Sequence, residues 1–332
     1  MELLKKLCLA NGTSGEEENI RDIIIEEVKD YVDEYKTDPL GNLICVKKGT
    51  GGGKKIMYAA HMDEIGVIVT VIDDKGFLRF SNIGGINPYN MVHRKVRFKN
   101  GTVGVVSFDA DTKMGELNLS KMFIDIGAKS KEEAEKYVQI GDSASLVSEF
   151  VDLNNHVSCK AMDDRAGCYC LIEAVKKNLR TENDIYYVFT TQEELGLRGA
   201  TTAGFNVDPD FAIAIDVTRT GDIPEAKRMA VMMDNGVCIK IKDDGIISHP
   251  YVVNYMKECA KKDNIKYQLE VLEGGRTDSG AIHLTRSGVK AGVISIPSRY
   301  IHSPSETVSK KDLEECIKLI VATEKYQFKE AF

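Results

Sequence analysis

Five short fragments of the chain carry residue types suited to metal-assisted hydrolysis. His61-Met62-Asp63-Glu64 follows an apolar run, Lys55 to Ala60. Met162-Asp163-Asp164-Arg165 opens a helical pattern, and Gln192-Glu193-Glu194-Leu195-Gly196 follows a run ending at Thr190. Asp216 closes the apolar run Ala214-Ile215, and Tyr300-Ile301-His302-Ser303-Pro304 follows the run Ala291 to Ile296. Imidazole nitrogen and carboxylate oxygen are the donors that Zn²⁺-like cations take. Two such cations ~3.5–4 Å apart need a bridging carboxylate and flanking ligands, and they supply a nucleophile able to attack an amide. The reaction also needs a proton acceptor outside the ligand set, and Glu193 beside Glu194 fits that role. Asp63, two residues after His61 on an extended strand end, points the same way and can fix the imidazole tautomer.

Each fragment also has a plainer reading. A strand-end His is usually just hydrogen-bonded. Asp163 and Asp164 suit a helix dipole, Glu193 and Glu194 suit a solvated loop, and Asp216 suits a turn. Five such fragments in one chain favour a shared site. Other chemistries lack their signatures: there is no G-x-S-x-G elbow, no GxGxxG and no P-loop. His93, His156, His249 and His283 sit in contexts that do not suggest ligands, and the glycine runs 51–53, 84–85 and 274–275 read as turns.

The elements that must position these residues follow from periodicity. Residues 1 to about 35 read as a helix start and a long helix, with Ser14-Gly-Glu-Glu17 as a capping box. Strands are expected at Leu43 to Lys47, Lys55 to Ala60, Ile185 to Thr190, Phe211 to Val217, Val237 to Ile241, Tyr267 to Val271 and Ala291 to Ile296. Helices are expected at Arg165 to Lys177, Pro250 to Lys262, Asp278 to Arg286 and from Lys310 onward. This alternation predicts an α/β fold with a mostly parallel sheet, whose strand ends bind ligands. Between Ile65 and about Val151 the texture changes to short β runs and turns. Asn100-Gly101 reads there as a type I′ hairpin turn and Ser130 to Glu133 as a second capping box. These runs suggest a small β unit inserted into the main domain.

The chain has 332 residues, 43% of them hydrophobic, and a net charge of −7. It is long enough to bury a large core, and the acidic balance argues against a nucleic-acid partner. No apolar run approaches the ~20 residues of a membrane span. The eight cysteines form no CxxC, so buried free thiols in a reducing cytoplasm are expected.

In these segments the chain resembles the tetrahedral (TET) aminopeptidase family of co-catalytic zinc peptidases, some members of which carry a cellulase or endoglucanase label. Asp38-Pro-Leu-Gly-Asn42, Asn82-Ile-Gly-Gly85, Asp125-Ile-Gly-Ala128 and Gly274 to Gly280 strengthen the likeness. The resemblance implies a metallo-aminopeptidase on a mixed sheet flanked by helices, zinc-exopeptidase-like, with an inserted small β-barrel or PDZ-like dimerisation domain. The catalytic domain would span 1–68 and 155–332, and the insert 69–154. Asp163 would bridge two divalent ions, Zn or Co, with a cis peptide to Asp164. His61 and Asp216 would complete one site, and Glu194 and His302 the other. Asp63 would orient His61, and Glu193 would deprotonate the bridging water. Peptides would be the substrates, and self-association would give a dimer and a dodecamer. Arg219 and Arg276 depart from the family pattern and suggest a preference for an acidic amino-terminal residue. A deacylase or amidase on N-acyl substrates, and a cellulase-type glycoside hydrolase, are the alternatives.

Overall fold

A computed structural model describes residues 1–327. Among them, eleven strands form one mixed sheet. Its centre is parallel: Asp184–Thr190, Lys55–His61, Phe211–Thr218 and Lys290–Arg299 lie side by side. Antiparallel strands flank this centre, Glu34–Thr37 and Leu43–Lys47 on one side and Glu306–Ser309, His156–Cys159 and Val151–Leu153 on the other. Val237–Lys242 also pairs with Lys290–Arg299, and Tyr267–Val271 pairs with it in turn.

The central strands are apolar on both faces because both faces are covered. Ile56, Tyr58 and Ala60 pack into one core with residues of helices Glu18–Val28, Met162–Lys176, Pro250–Lys262 and Lys310–Lys325. Met57 and Ala59, pointing the other way, pack with Ala200, Ala203 and Ile282 of the helices Arg198–Val207 and Ser279–Ile282. All eight cysteines are buried and free. No helix among the described residues is long and apolar enough to cross a membrane.

Six further strands close an antiparallel barrel: Gly66–Ile72, Leu78–Ile83, Met122–Asp125, Val103–Phe108, Lys95–Phe98 and Ser143–Leu146. It has its own core, including Val67, Leu78, Phe80, Val96, Phe98, Val106, Ile124 and Leu146.

Several local expectations change. The amino-terminal helix is two helices, Glu2–Leu9 and Glu18–Val28, and Ser14 caps neither. Its hydroxyl and the Glu17 carboxylate are taken by distant groups, which outweigh a local cap. Ser130 does cap its helix, accepting the Glu133 N–H. The Asn100-Gly101 hairpin is not type I′, which needs positive φ at both central residues. Only Gly101 has it, and the loop is three residues long, with Phe98 N–H bonded to Thr102 O. The helix expected over Asp278 to Arg286 is regular only at Ser279–Ile282. Glu34–Thr37 escaped notice because all four residues are exposed and show no apolar alternation.

Glu324 on the last helix is 1% exposed, and its Oε1 has no hydrogen-bond partner. Burial pushes its carboxyl up to about 8, against the opposing pull of Tyr187 and Lys47. The folded state therefore holds this proton more tightly than the unfolded chain, whose Glu titrates at ~4.3. The stability this gives is complete below that value and is lost as pH rises to about 8. Urea unfolding at pH 5 and pH 8 should show a larger fall for the wild type than for Glu324→Gln; equal falls would contradict the assignment.

Candidate active site

The parallel register builds the floor of the site. Phe211 pairs with Ile56 and Thr190 with His61, so Asp216, His61 and the start of the Gln192–Glu194 turn emerge at one level. The helix Met162–Lys176 begins above them, with Asp163 and Asp164 out of helical conformation and a cis peptide between them. The turn residues Ala161, Gln192, Tyr300 and His302 adopt left-handed φ, a conformation that concentrates at functional turns.

His61 is almost fully buried. Its Nε2 lies 3.0 Å from Asp163 Oδ1, 3.9 Å from Glu193 Oε2 and 4.0 Å from Asp216 Oδ1. Its Nδ1 lies 3.4 Å from Asp63 Oδ1. His302 Nε2 lies 3.3 Å from Asp163 Oδ2 and 3.2 Å from Glu194 Oε1. Asp163 thus turns one oxygen toward each imidazole. Asp63 also accepts the N–H groups of Glu193 and Glu194, at 3.0 and 3.2 Å, and so holds the double-glutamate turn as well as His61.

The electrostatics are those of crowded carboxylates in a dry place. Burial, with Asp163 nearby, pushes the Asp216 carboxyl well up, and His61 and Lys240 oppose this. Burial also pushes Glu193 and Asp164 up. Burial alone would lower His302, but Asp163 and Glu194 outweigh it and bring the imidazole up to about 11. Asp163, flanked by both imidazoles, is held low despite its burial.

This cluster fits a cationic guest. Donor atoms of His61, Asp164 and Asp216 lie within 4.8 Å of one another, as do those of His61, Asp163 and Glu194. Asp164 Oδ2 is buried with no hydrogen-bond partner. Oxygen and imidazole nitrogen are the donors of a hard or borderline divalent ion, and such an ion would offset the burial and mutual repulsion that raise Asp164, Glu194 and Asp216.

Three participants had been given no role in the site from the sequence. Asp164 brings its carboxylate to the cluster beside Asp216, and only its adjacency to Asp163 hinted at it. Glu306, 1% exposed, accepts the Asp163 N–H at 2.9 Å and the His302 N–H at 2.7 Å. A carboxylate within an otherwise buried strand was its signal. The Gly84-Gly85 turn of the barrel abuts the site, where a Cβ at Gly85 would stand 2.9 Å from His302 Nδ1.

Arg219 and Arg276 are not brought together. Arg219 lines a cavity of about 630 Å³ with Tyr300 and Ile301, next to His302. Arg276 is exposed, sits beside Gly245 and does not line that cavity. His93, His156, His249 and His283 have partners elsewhere: Phe108, Asp234, the Tyr251 N–H and Ser279 O.

The family described as M42 glutamyl aminopeptidase matches residues 41–319. The chain belongs to this family. A protein of Acetivibrio thermocellus named "Putative aminopeptidase" is 55% identical over 321 residues, covering 96% of this chain and 97% of its own. The structure of an aminopeptidase from the archaeon Desulfurococcus kamchatkensis has a TM-score of 0.94 and 40% identity, covering 98% of this chain and 94% of its own. The TET1 peptidase of Pyrococcus horikoshii, which can assemble into a tetrahedron or a large octahedral shell, has a TM-score of 0.86 and 36% identity over 97% and 98% of the chains. This M42 chain is a peptide hydrolase of the aminopeptidase kind, and dependence on metal ions is a property of its family. Its reaction therefore lies at a peptide bond.

Proposed function

We propose that this M42 chain is a dinuclear aminopeptidase that removes amino-terminal residues from peptides. The observation that carries the reading is Asp163, one carboxylate oxygen toward His61 and the other toward His302. In this reading His61, Asp163 and Asp216 hold one divalent ion and Asp163, Glu194 and His302 the other, with Zn or Co the best match to the donors. When bound, the ions supply Lewis-acid polarisation and lower the pKa of water toward ~7. Asp63 orients His61 and fixes its tautomer through Nδ1. Glu193 takes a proton from the attacking water on its carboxylate and passes it to the amine that leaves. Buried, with Asp216, Glu194 and Asp278 nearby, it holds a proton more readily than a free glutamate although His61 opposes this, which suits a group that must accept and then release one.

Arg219 lines a cavity with Tyr300 and Ile301, the two residues before His302, and with Arg299 gives it positive charge. It would favour an acidic amino-terminal side chain; Arg276, outside this cavity, lends that preference no geometric support. Arg219→Ala should erase any preference of kcat/KM for glutamyl over alanyl substrates, and an unchanged ratio would remove Arg219 from the account.

The barrel accounts for most of residues 69–154, which in this reading form the dimerisation domain, with dimers building a closed dodecamer. The assembly of the P. horikoshii neighbour supports that, and eight buried thiols suit a cytoplasmic setting. The test of the metal reading is reconstitution. Chelated protein titrated with Co²⁺ should regain hydrolysis of an aminoacyl-p-nitroanilide in proportion to metal, levelling at two equivalents per chain. Full activity in chelator would overturn it, and levelling at one equivalent would overturn the dinuclear form.

A further inference from the structure

The segment between the two amino-terminal helices reaches the heart of the site. Its backbone docks on the residues after His61: Gly12 N–H donates to Glu64 Oε1 at 3.1 Å, and Glu64 N–H donates to Gly12 O at 3.0 Å. Glu64 is held in turn by the Lys160 ammonium, 2.6 Å from Oε2. Arg165 donates to the carbonyls of Leu7, Ala10 and Gly12. This docking does not use the side chains of Ser14 or Glu17.

Those two side chains do something else. Ser14 Oγ donates to Asp63 Oδ2 at 2.6 Å, the same oxygen that accepts the Glu194 N–H. Glu17 Oε1 accepts the Gln192 N–H at 3.1 Å and the Gly15 N–H at 2.8 Å. Both residues are buried. The Gln192–Glu194 turn is therefore gripped at three successive amides, by Glu17 at the first and by Asp63 at the next two. Neighbouring side chains of the segment fasten it to the barrel: Ser143 Oγ lies 2.7 Å from Thr13 Oγ1 and donates to Glu16 Oε2 at 2.8 Å.

We infer that Ser14 and Glu17 are positioning residues, which hold Asp63 and the double-glutamate turn so that Glu193 meets its proton at the right place. Asp63 has little to fix its second oxygen apart from the Glu194 amide and Ser14. Without the hydroxyl the carboxylate can rotate, and it would carry His61 and both glutamate amides with it. Small displacements of a catalytic group cost rate steeply, up to ~100-fold for ~1 Å. The inference rests on the aminopeptidase reading, because it assigns the turn a proton-transfer task.

The test uses the metal-loaded full chain, with Ser14→Ala, Ser14→Thr and Glu17→Ala. Ser14→Ala should lower kcat on a free-amine p-nitroanilide by about tenfold, the worth of a charge-assisted hydrogen bond. KM should stay within about twofold. Ser14→Thr, which keeps the hydroxyl, should restore the rate. In an Asp63→Asn background, Ser14→Ala should add almost nothing, since the two act through one contact. Hydrogen exchange of the peptide spanning 190–196, read in the metal-free protein, should quicken in Ser14→Ala and Glu17→Ala. Wild-type kcat and exchange in Ser14→Ala, or a full additive loss in the Asp63→Asn background, would overturn the inference. Should Ser14→Ala not fold, Glu17→Ala decides alone: loss of kcat with faster exchange supports the grip on the turn, and wild-type values for both overturn it. An inactive wild type would instead overturn the aminopeptidase reading, and the inference with it.

Discussion

Glu193→Gln should lower kcat by about 100- to 10,000-fold, the usual worth of a positioned general base. The substitution keeps the shape and the backbone bond to Asp63, which uses the amide and not the side chain. It removes only the ability to accept and release a proton. Glu193 lies outside the proposed ligand set, so the metal content of the variant should equal that of the wild type. KM should change little, because the amide still occupies the same volume. A variant that loses metal would make Glu193 a ligand. A variant with wild-type kcat would send the proton elsewhere.

Asp163→Asn should be as damaging for a different reason. The carboxylate turns Oδ1 to His61 and Oδ2 to His302, so it reaches both halves of the site. An amide offers a single acceptor oxygen and no charge. Metal content by mass spectrometry should fall below two per chain. Activity should drop on the order of 1,000-fold, because several kcal/mol of charge stabilisation are lost. The fold should survive. Without metal, Asp163 is held ionised by the two imidazoles it faces, so its neutralisation removes that attraction, which outweighs the repulsion of Asp216 and Asp164 that it relieves. The apoprotein variant should unfold below the wild-type temperature at neutral pH, and an equal or higher temperature would mean that repulsion among the carboxylates outweighs the two imidazole contacts.

Much of the frame was legible in the sequence. The strand Lys55–His61 and its parallel neighbours announce themselves as apolar runs because both faces are buried, and their ends carry the histidine and carboxylates. The inserted barrel shows as a change to short β runs. What stayed hidden depends on distant pairing. Ser14-x-x-Glu17 has the spacing of a capping box, and spacing alone cannot say that Ser14 bonds Asp63, forty-nine residues away. Glu306 gave no motif, since it works by accepting two backbone amides from separate loops. Gly84-Gly85 looked like an ordinary turn, and the approach of Ile65 and Glu194 to Gly84 and of His302 to Gly85 explains why no side chain fits there. The three-residue loop at Asn100-Gly101 shows the same limit on a smaller scale: the dipeptide suggests a turn type, and strand register chose another.

The central claim is a free-amine peptidase working through a metal cluster. The most direct measurement compares initial rates of the Co²⁺- or Zn²⁺-loaded chain on aminoacyl-p-nitroanilides and on one N-acetylated counterpart. The account predicts cleavage of the free-amine substrates only, abolished by chelator. Release of product from the N-acetylated compound at a comparable rate, or none from any free-amine substrate, would contradict it.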